Sequence, residues 1–577
     1  MRFPHSLALP MNLRAELEAI VQSWTKKNFP DLGSGPWIRP CADPRHGHFQ
    51  THFPMVAAKQ TGGNAREIAT RLAEECSPPP DWEKPQIAGG GFVNYCATPI
   101  AVARGIESLR KDKGFGIIPS DHPETIVVDF SSPNIAKAMH VGHIRSTLLG
   151  DTLARLLKRC GHRVIRINHL GDWGTQFGKL LLAYRAAGRP ELSTSNAIQE
   201  LEDFYKLGHQ ESETDPAKME LARAELAALQ SGDPERKKDW EVFCERSAEH
   251  FRAIYRRLNV TFDLEKGESS YHDELPGVVA DLLRLKIAEN SQGAVVVRNP
   301  AISEEPFLIR KSDGAFLYGT TDLAALRSRI RDLHAQRIIY VTDGRQQLHF
   351  RWLFDTALKW NQRGVFEHVW FGTILGSDRK PLKSRDGTPI KLVDLLDEAK
   401  DRAKKILLEK RPDLNGQALE DKAELLGIAS LKYADQMPGR NLDYVFTWEK
   451  LLAFDGNTAP YILNAYVRTR SILRKAGLET PPVHHVVLKE PAEEELSRHL
   501  MQYGDIVALA AQDRRPHHLC GFLFETAGMF HRFFEACPVL QAPTPELRNS
   551  RLTLAGLTGD ILRDGLDLLG IPTLEEM

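Results

Sequence analysis

The sequence predicts an α/β protein of several domains arranged around a parallel sheet. Three observations predict it. Across residues 125–168 a strand, a turn, a helix and a second strand come one after another. From about residue 119 to 385, strand-like and helix-like segments alternate with interruptions. Beyond about residue 393 the apolar period is helical almost throughout, as in 425–433, 459–477 and 501–510.

The first of these segments carries the most chemistry. Ile126-Val127-Val128 reads as a buried strand, and Ser131-Ser132-Pro133-Asn134 breaks it. His140-Val141-Gly142-His143 leads into a helix over 144–159, with Gly161 as its C-cap. With the apolar run 162–168 this makes the βαβ unit of a Rossmann-like, nucleotide-binding sheet. The loop carries two histidines in place of a glycine-rich cradle. A helix N-terminus gathers unpaired N–H groups and positive dipole, so it attracts phosphate. Residues three apart share a helix face, so His140 and His143 can address one phosphate chain. Gly142 leaves room for a flat base against the backbone. Alone, H-x-G-H matches by chance about as often as not; the flanking strand and helix favour function.

The remaining elements come in chain order. Residues 1–115 are expected to form an α+β N-terminal domain. Gly89-Gly90-Gly91 within it is no phosphate loop, because no Lys-Ser or Lys-Thr comes after it and a strand-like stretch does. Residues 116–392 form the Rossmann-like core, with insertions at about 187–245 and 272–314. The first insertion reads as helical, and 293–311 as a β-rich excursion. Residues 315–318 and 337–341 are expected to return to core strands, and 369–375 to be the last one. A basic loop is next at 378–387, and 393–577 is an all-α bundle.

At 577 residues the chain exceeds a single core, and 42% apolar with 26% charged residues is an ordinary globular composition. No long uncharged apolar stretch predicts a membrane span. The first twenty residues read as a cytosolic helix more than a leader. Seven scattered cysteines form neither a disulfide framework nor a zinc pattern, which fits a cytoplasmic, reducing compartment. A net charge of −1 means that polyanion binding must come from local patches. Residues 400–411 and 468–475 are candidates, although charge runs on helices are more often solvated faces.

His140-Val141-Gly142-His143 resembles the first signature of class I aminoacyl-tRNA synthetases. Its flanks, Phe130 to Lys137 and Arg145-Ser146, and the stretch Asn168-His169-Leu170-Gly171-Asp172-Trp173-Gly174-Thr175-Gln176-Phe177-Gly178 are similar to the arginyl-tRNA synthetase version. Lys380-x-x-Lys383-Ser384 resembles the second signature, K-M-S-K-S, and departs from it at Pro381 and Leu382. The resemblance implies catalytic roles for His140, His143, Lys380 and Lys383, with Gly142 and Ser384 joining them in ATP binding. The segment from Leu317 to Ala324 resembles the family's arginine-recognition helix, where Asp322 would pair with the guanidinium and Tyr318 assist. Gln346 matches a further contact. Asp129 and Asn134 match positions that hold the substrate's ammonium or side chain, Asp129 standing where some members carry glutamate.

The chemistry agrees with that assignment. A guanidinium is planar, permanently charged and offers five donors, so it calls for carboxylates plus neutral acceptors. Tyr318 and Asp322 share one helical face if the helix begins near Gly319. The plainer reading of Asp322 is a charge complementing a helix dipole.

The stretch from Phe454 to Arg468 resembles the start of the family's anticodon-binding bundle, with Asn457 or Thr458 as helix cap. Tyr461, Tyr466 and Arg468 would contact tRNA, the tyrosines by stacking on splayed bases; core packing is at least as good a reading for either tyrosine. Gly91-Phe92-Val93-Asn94-Tyr95 resembles the N-terminal domain that contacts the tRNA elbow. The last residues, from Leu568 to Met577, match the family's ending and imply a packed C-terminus.

The implied activity is arginine–tRNA ligation: arginyl-adenylate forms from L-arginine and ATP, then the arginyl group passes to the 3′-terminal ribose of tRNA(Arg). The resemblance also implies Mg²⁺ with ATP, no tightly held structural metal, no DNA or membrane partner, a monomer, and activation that waits for bound tRNA. Two other readings share parts of the pattern. One is a tRNA-independent adenylate-forming ligase or nucleotidyltransferase, the other a non-catalytic synthetase-like RNA-binding protein.

Overall fold

β-Branched residues fill the central strand because both of its faces are covered. The computed structural model describes residues 13–33, 35–41, 46–193, 196–383, 389–482 and 484–576. Five strands form its core sheet: β1 (Thr125–Asp129), β2 (Arg163–Leu170), β3 (Leu264–Gly267), β4 (Arg337–Tyr340) and β5 (Val365–His368). All pair in parallel, in the order β5-β4-β1-β2-β3. Ile126 and Val128 enter one hydrophobic cluster with Leu148 and Leu153 of helix α1 (Gly142–Arg159), while Val127 enters another. That second cluster includes Leu323 and Leu326 of α2 (Tyr318–Leu333) and Leu353 of α3 (Gln347–Lys359). Alternate residues of a parallel strand are buried on opposite faces, which is why the run is apolar throughout. The chain leaves β1 toward one side of the sheet and later adds β4 on the other. The carboxyl ends of β1 and β4 therefore diverge and open a crevice.

The N-terminal region pairs an antiparallel four-stranded sheet with helices Leu13–Asn28, Phe53–Thr61, Ala65–Glu75 and Pro99–Lys111. Gly89 to Gly91 closes the hairpin between Gln86–Ala88 and Phe92–Tyr95, with Gly91 at φ +131°. Helices Ala197–Thr214, Pro216–Gln230 and Pro234–Arg257 make the helical insertion. The β-rich excursion is an antiparallel sheet of Glu289–Ser291, Ala294–Asn299 and Ser303–Arg310.

Two expected core strands are not strands of the core sheet. Phe316 makes only an isolated bridge to Arg310, and Leu317, extended at φ −122°, is the N-cap of α2. The apolar residues there bring the chain into a buried helix. The last core strand ends at His368, and Ile374–Leu375 pairs with Tyr444–Val445 of the C-terminal region.

Among the described residues the C-terminal region is helical apart from that short strand. Thr458 caps helix Ala459–Lys475 by accepting from the Tyr461 N–H, as its position suggests. The basic run 400–411 is largely neutralised. Lys400 and Lys404 pair with Glu420, Arg402 with Glu398 and Arg411 with Asp413. Arg470 and Arg474 of the second run meet Glu575 of the buried-in tail, where Leu569 and Ile571 are fully buried.

Arg145 fastens this region to the sheet. From α1 it pairs with Asp435 of helix Gly416–Gln436 at 3.2 Å and donates to the carbonyls of Gly372 (2.8 Å) and Leu442 (3.1 Å). Both charged side chains are almost fully buried, so neither partner tolerates loss of the other. Arg145→Met is expected to cost about 3–5 kcal/mol, read as a lower urea midpoint. Arg145→Met/Asp435→Leu, which removes the orphaned charge, is expected to recover part of the loss.

Candidate active site

A cavity of about 570 Å³ occupies the crevice. Its first wall is the turn leaving β1. Ser131 and Ser132 adopt φ of +72° and +51°, conformations that cost energy and survive only where neighbours enforce them. The neighbours are buried. The Ser131 N–H donates to Ser146 Oγ (2.9 Å), which donates to the Val341 carbonyl of the strand β4 extension (2.6 Å). The Ser132 N–H donates to Asn168 Oδ1 at 3.1 Å. This turn carries Asn134 to the cavity wall beside Gly171, where a Cβ would lie 2.1 Å from Asn134 Oδ1.

The next wall is the start of α1. The Gly142 N–H donates to His140 Nδ1 (3.0 Å), and the His140 N–H donates to His143 Nδ1 (3.1 Å). Each Nδ1 is thus an acceptor, which leaves the proton on Nε2 of each neutral ring. Burial holds both imidazoles neutral, pushing His140 below its ordinary value and His143 down to about 3. The rings lie 4.1 Å apart. A Cβ on Gly142 would come within 2.8 Å of the His140 ring. The glycine leaves room for that imidazole and itself lines the cavity.

The third wall comes from α2, α3 and the segment between β4 and α3. Thr320, bonded to the Ile309 carbonyl, anchors the first turn of α2. Asp322 faces the cavity and accepts from His349 Nε2 of α3 at 2.6 Å. Burial pushes its carboxyl up, but the hydrogen bond and charge interaction with His349 prevail and hold it below the usual carboxylate range. Tyr318, 67% exposed, stands at the mouth. Gln346 ends a short 3₁₀ turn, Gly344–Gln346, that Asp343 caps.

Comparisons with known proteins agree with this geometry. Family models match along the chain: "Arginyl tRNA synthetase N terminal domain" over residues 11–96, "tRNA synthetases class I (R), catalytic domain" over 106–448, and "DALR anticodon binding domain" over 462–577. The arginine–tRNA ligase of Synechococcus elongatus is 42% identical over 559 residues, spanning 94% of this chain and 95% of its own. The chain belongs to the arginyl-tRNA synthetase family. The ligase of Cronobacter sakazakii is 40% identical, covering 98% of this chain and all of its own. The Plasmodium falciparum arginyl-tRNA synthetase structure superposes with a TM-score of 0.83 at 27% identity, covering 98% and 99% of the two chains. The Thermus thermophilus structure, at 24% identity and TM-score 0.82, shares the fold.

The structure brings Asn134, His140, Gly142, His143, Tyr318, Asp322 and Gln346 to one cavity. Asp129 is not there. Its buried carboxylate is held by Arg329 of α2 at 2.7 Å and by Ser132 Oγ at 3.2 Å, beneath the floor. Lys380 and Lys383 line a neighbouring cavity of about 910 Å³ with Asp394, Glu398 and Glu449. Ser384 lies outside the described residues. Tyr466 is a core residue, 1% exposed, donating its hydroxyl to Glu575 at 2.9 Å, so it has no face to offer a base. Tyr461 is half-buried against Phe524 and His531, and Arg468 bonds His531 and lies over Phe534.

Sequence reasoning passed over Glu268, His169 and His349, all of which line the cavity. Glu268 directly succeeds β3, so its only signal is the rule that ligands sit at the carboxyl ends of parallel strands. Burial, with Asp322 and then Asp172 nearby, pushes the Glu268 carboxyl up to about 8.

His143 is expected to stay neutral from pH 4.5 to 8, showing no NMR titration of its ring carbons. An unfolded imidazole takes up a proton below about 6.5, whereas folded His143 does so only near 3. Its burial therefore withdraws stability as pH falls through that interval.

Proposed function

We propose that this chain is an arginine–tRNA ligase, activating L-arginine with Mg²⁺-bound ATP and transferring the arginyl group to the 3′-terminal ribose of tRNA(Arg). The observation that carries the reading is a single cavity that holds two neutral imidazoles at a helix N-terminus and, besides Asp343 paired with Arg345, the carboxyl groups of Asp322 and Glu268. Buried carboxylates call for a cation, and a guanidinium brings a permanent charge with several donors to share between them. Lysine, a point donor, matches this poorly, and citrulline lacks the charge. Buried acceptors left unpaired penalise both without an editing site.

In this reading the arginine carboxylate attacks the α-phosphate in line and pyrophosphate departs. His140 and His143 each offer an Nε2–H to phosphate oxygens, aided by the dipole of α1. Lys380 and Lys383 approach from the adjacent cavity and neutralise the leaving group, and Ser384 joins them in ATP binding. Asn134, Tyr318 and Gln346 hold the amino acid, and Asp129 acts indirectly by fixing Arg329. A terminal ribose hydroxyl then attacks the activated carbonyl and AMP leaves.

The match of residues 462–577 to an anticodon-binding domain supports tRNA as the acceptor. Tyr461, Arg468, His531 and Phe534 offer the aromatic and basic surface that single-stranded bases need. Full-length similarity to curated arginine–tRNA ligases weighs against a tRNA-independent ligase or a non-catalytic binder. No described helix is long and apolar enough to cross a membrane, and cytoplasmic work is consistent with buried Cys76, Cys160, Cys520 and Cys537 as thiols.

In tRNA aminoacylation, Asp322→Asn is expected to raise KM for arginine by about 10²-fold or more, as when one member of a desolvated charge pair is lost, and to leave KM for ATP within about twofold. An unchanged arginine KM would remove Asp322 from the pocket.

A further inference from the structure

The Asp322 carboxylate does not orient itself. Its Oδ2 accepts from His349 Nε2 at 2.6 Å, and among the described residues it has no other hydrogen-bond donor. Two aromatic neighbours hold the His349 ring in turn. Phe307 meets it at 5.7 Å and 68°, and Phe350 of α3 at 5.4 Å and 84°. Phe307 belongs to Ser303–Arg310, the last strand of the β-rich excursion, and is not among the residues that line the cavity. It is buried, with its ring stacked on Trp352 of α3 at 5.9 Å and 5°. The same ring supports the first turn of α2, because a Cβ on Gly319 would lie 2.5 Å from it. Thr320, the next residue of that turn, bonds the Ile309 carbonyl of the same strand. One strand of the excursion thus touches both the helix that carries Asp322 and the ring that holds its carboxylate.

We infer that His349 and Phe307 are positioning residues for amino-acid selection: Phe307 braces the His349 imidazole, and His349 fixes one oxygen of Asp322 so that the other is presented to the guanidinium. This inference rests on arginine being the substrate. Its physical basis is preorganisation. The last bond of an aspartate side chain rotates in a broad well, whereas a guanidinium rewards an oxygen that lies in the plane of its N–H groups. A bond to Oδ2 removes that freedom before arginine arrives, so less ordering remains to be lost on binding. Edge-to-face contact with Phe307 and Phe350 does the same for the imidazole. A binding side chain is only as well placed as the groups packed behind it. The excursion therefore acts on an amino acid that it never touches.

Aminoacylation kinetics of the full chain, with arginine and ATP varied separately, test this. His349→Phe keeps the bulk of the ring and removes its donor. It is expected to raise KM for arginine about tenfold or more, as when the outer partner of a metal ligand is lost, and to leave kcat and KM for ATP within about twofold. His349→Gln, whose amide can donate to the same oxygen, is expected to stay within about threefold of the wild type. Phe307→Leu leaves His349 without its brace and is expected to raise KM for arginine about threefold or more; it decides the question by itself should His349→Phe not fold. A loss of stability alone would lower the yield of active protein and leave KM where it was. In an Asp322→Ala background, His349→Phe is expected to change kcat/KM for arginine by less than about twofold, because no carboxylate is left to place. An unchanged arginine KM in His349→Phe or in folded Phe307→Leu, or an equal loss from His349→Phe with and without Asp322, would overturn the inference. Arginine would remain the substrate if Asp322→Asn still raised its KM. An arginine KM that Asp322→Asn also left unmoved would overturn the inference together with the pocket on which it rests.

Discussion

The order in which strands join the sheet governs the site. Because β4 adds to the side of β1 opposite β2, the loops leaving these strands part, and the cavity is the space between them. Its walls gather at the carboxyl ends of the strands. The Ser131–Ser132 turn and α1 come after β1, Gly171 and His169 stand at the end of β2, Glu268 comes directly after β3, and the Gly344–Gln346 turn comes after β4. The strained turn stays in place because Ser146 of α1 bridges it to Val341 beyond β4. Arg145, one residue earlier, binds the same helix to the C-terminal region through Asp435. One helix therefore carries the imidazoles at its start, the bolt across the crevice and the tie to the helical bundle.

The electrostatics of the cavity divide into two halves. At the start of α1, hydrogen bonds from the backbone choose the tautomer, and burial keeps both histidines neutral. In the proposed reaction they would address phosphate as fixed dipoles, which suits stabilisation by preorganised donors. At the other end the carboxylates are tuned apart. The hydrogen bond from His349 keeps the Asp322 carboxyl below its ordinary range, while burial beside Asp322 and Asp172 pushes the Glu268 carboxyl up to about 8. The second half is built for a cation and the first for an anion, with Asn134 and Gln346 between them as neutral polar groups.

Much of this was legible in the sequence because it is local. The run from Ile126 to His143 contains its own strand, break and helix start, and Tyr318 and Asp322 are one helical turn apart. The features that the sequence hides are set by distant partners. Nothing beside Asp129 in the sequence announces Arg329, two hundred positions away, which holds its carboxylate. Residues 400–411 read as a basic surface until Glu398, Asp413 and Glu420 neutralise them. Tyr466 reads as a stacking residue until the C-terminal tail covers it and supplies Glu575. Glu268 comes after a four-residue strand, Leu-Glu-Lys-Gly, too short and too polar to announce itself, so the second carboxylate of the pocket emerges only when the sheet is assembled.

The account stands on arginine being the amino acid that Asp322 and Glu268 select together. ATP–pyrophosphate exchange with each of the twenty amino acids, in the presence and absence of total tRNA, tests that most directly. Exchange with arginine alone, appearing when tRNA is added, is the predicted result. Exchange with another amino acid, or none from folded protein supplied with tRNA, would contradict it.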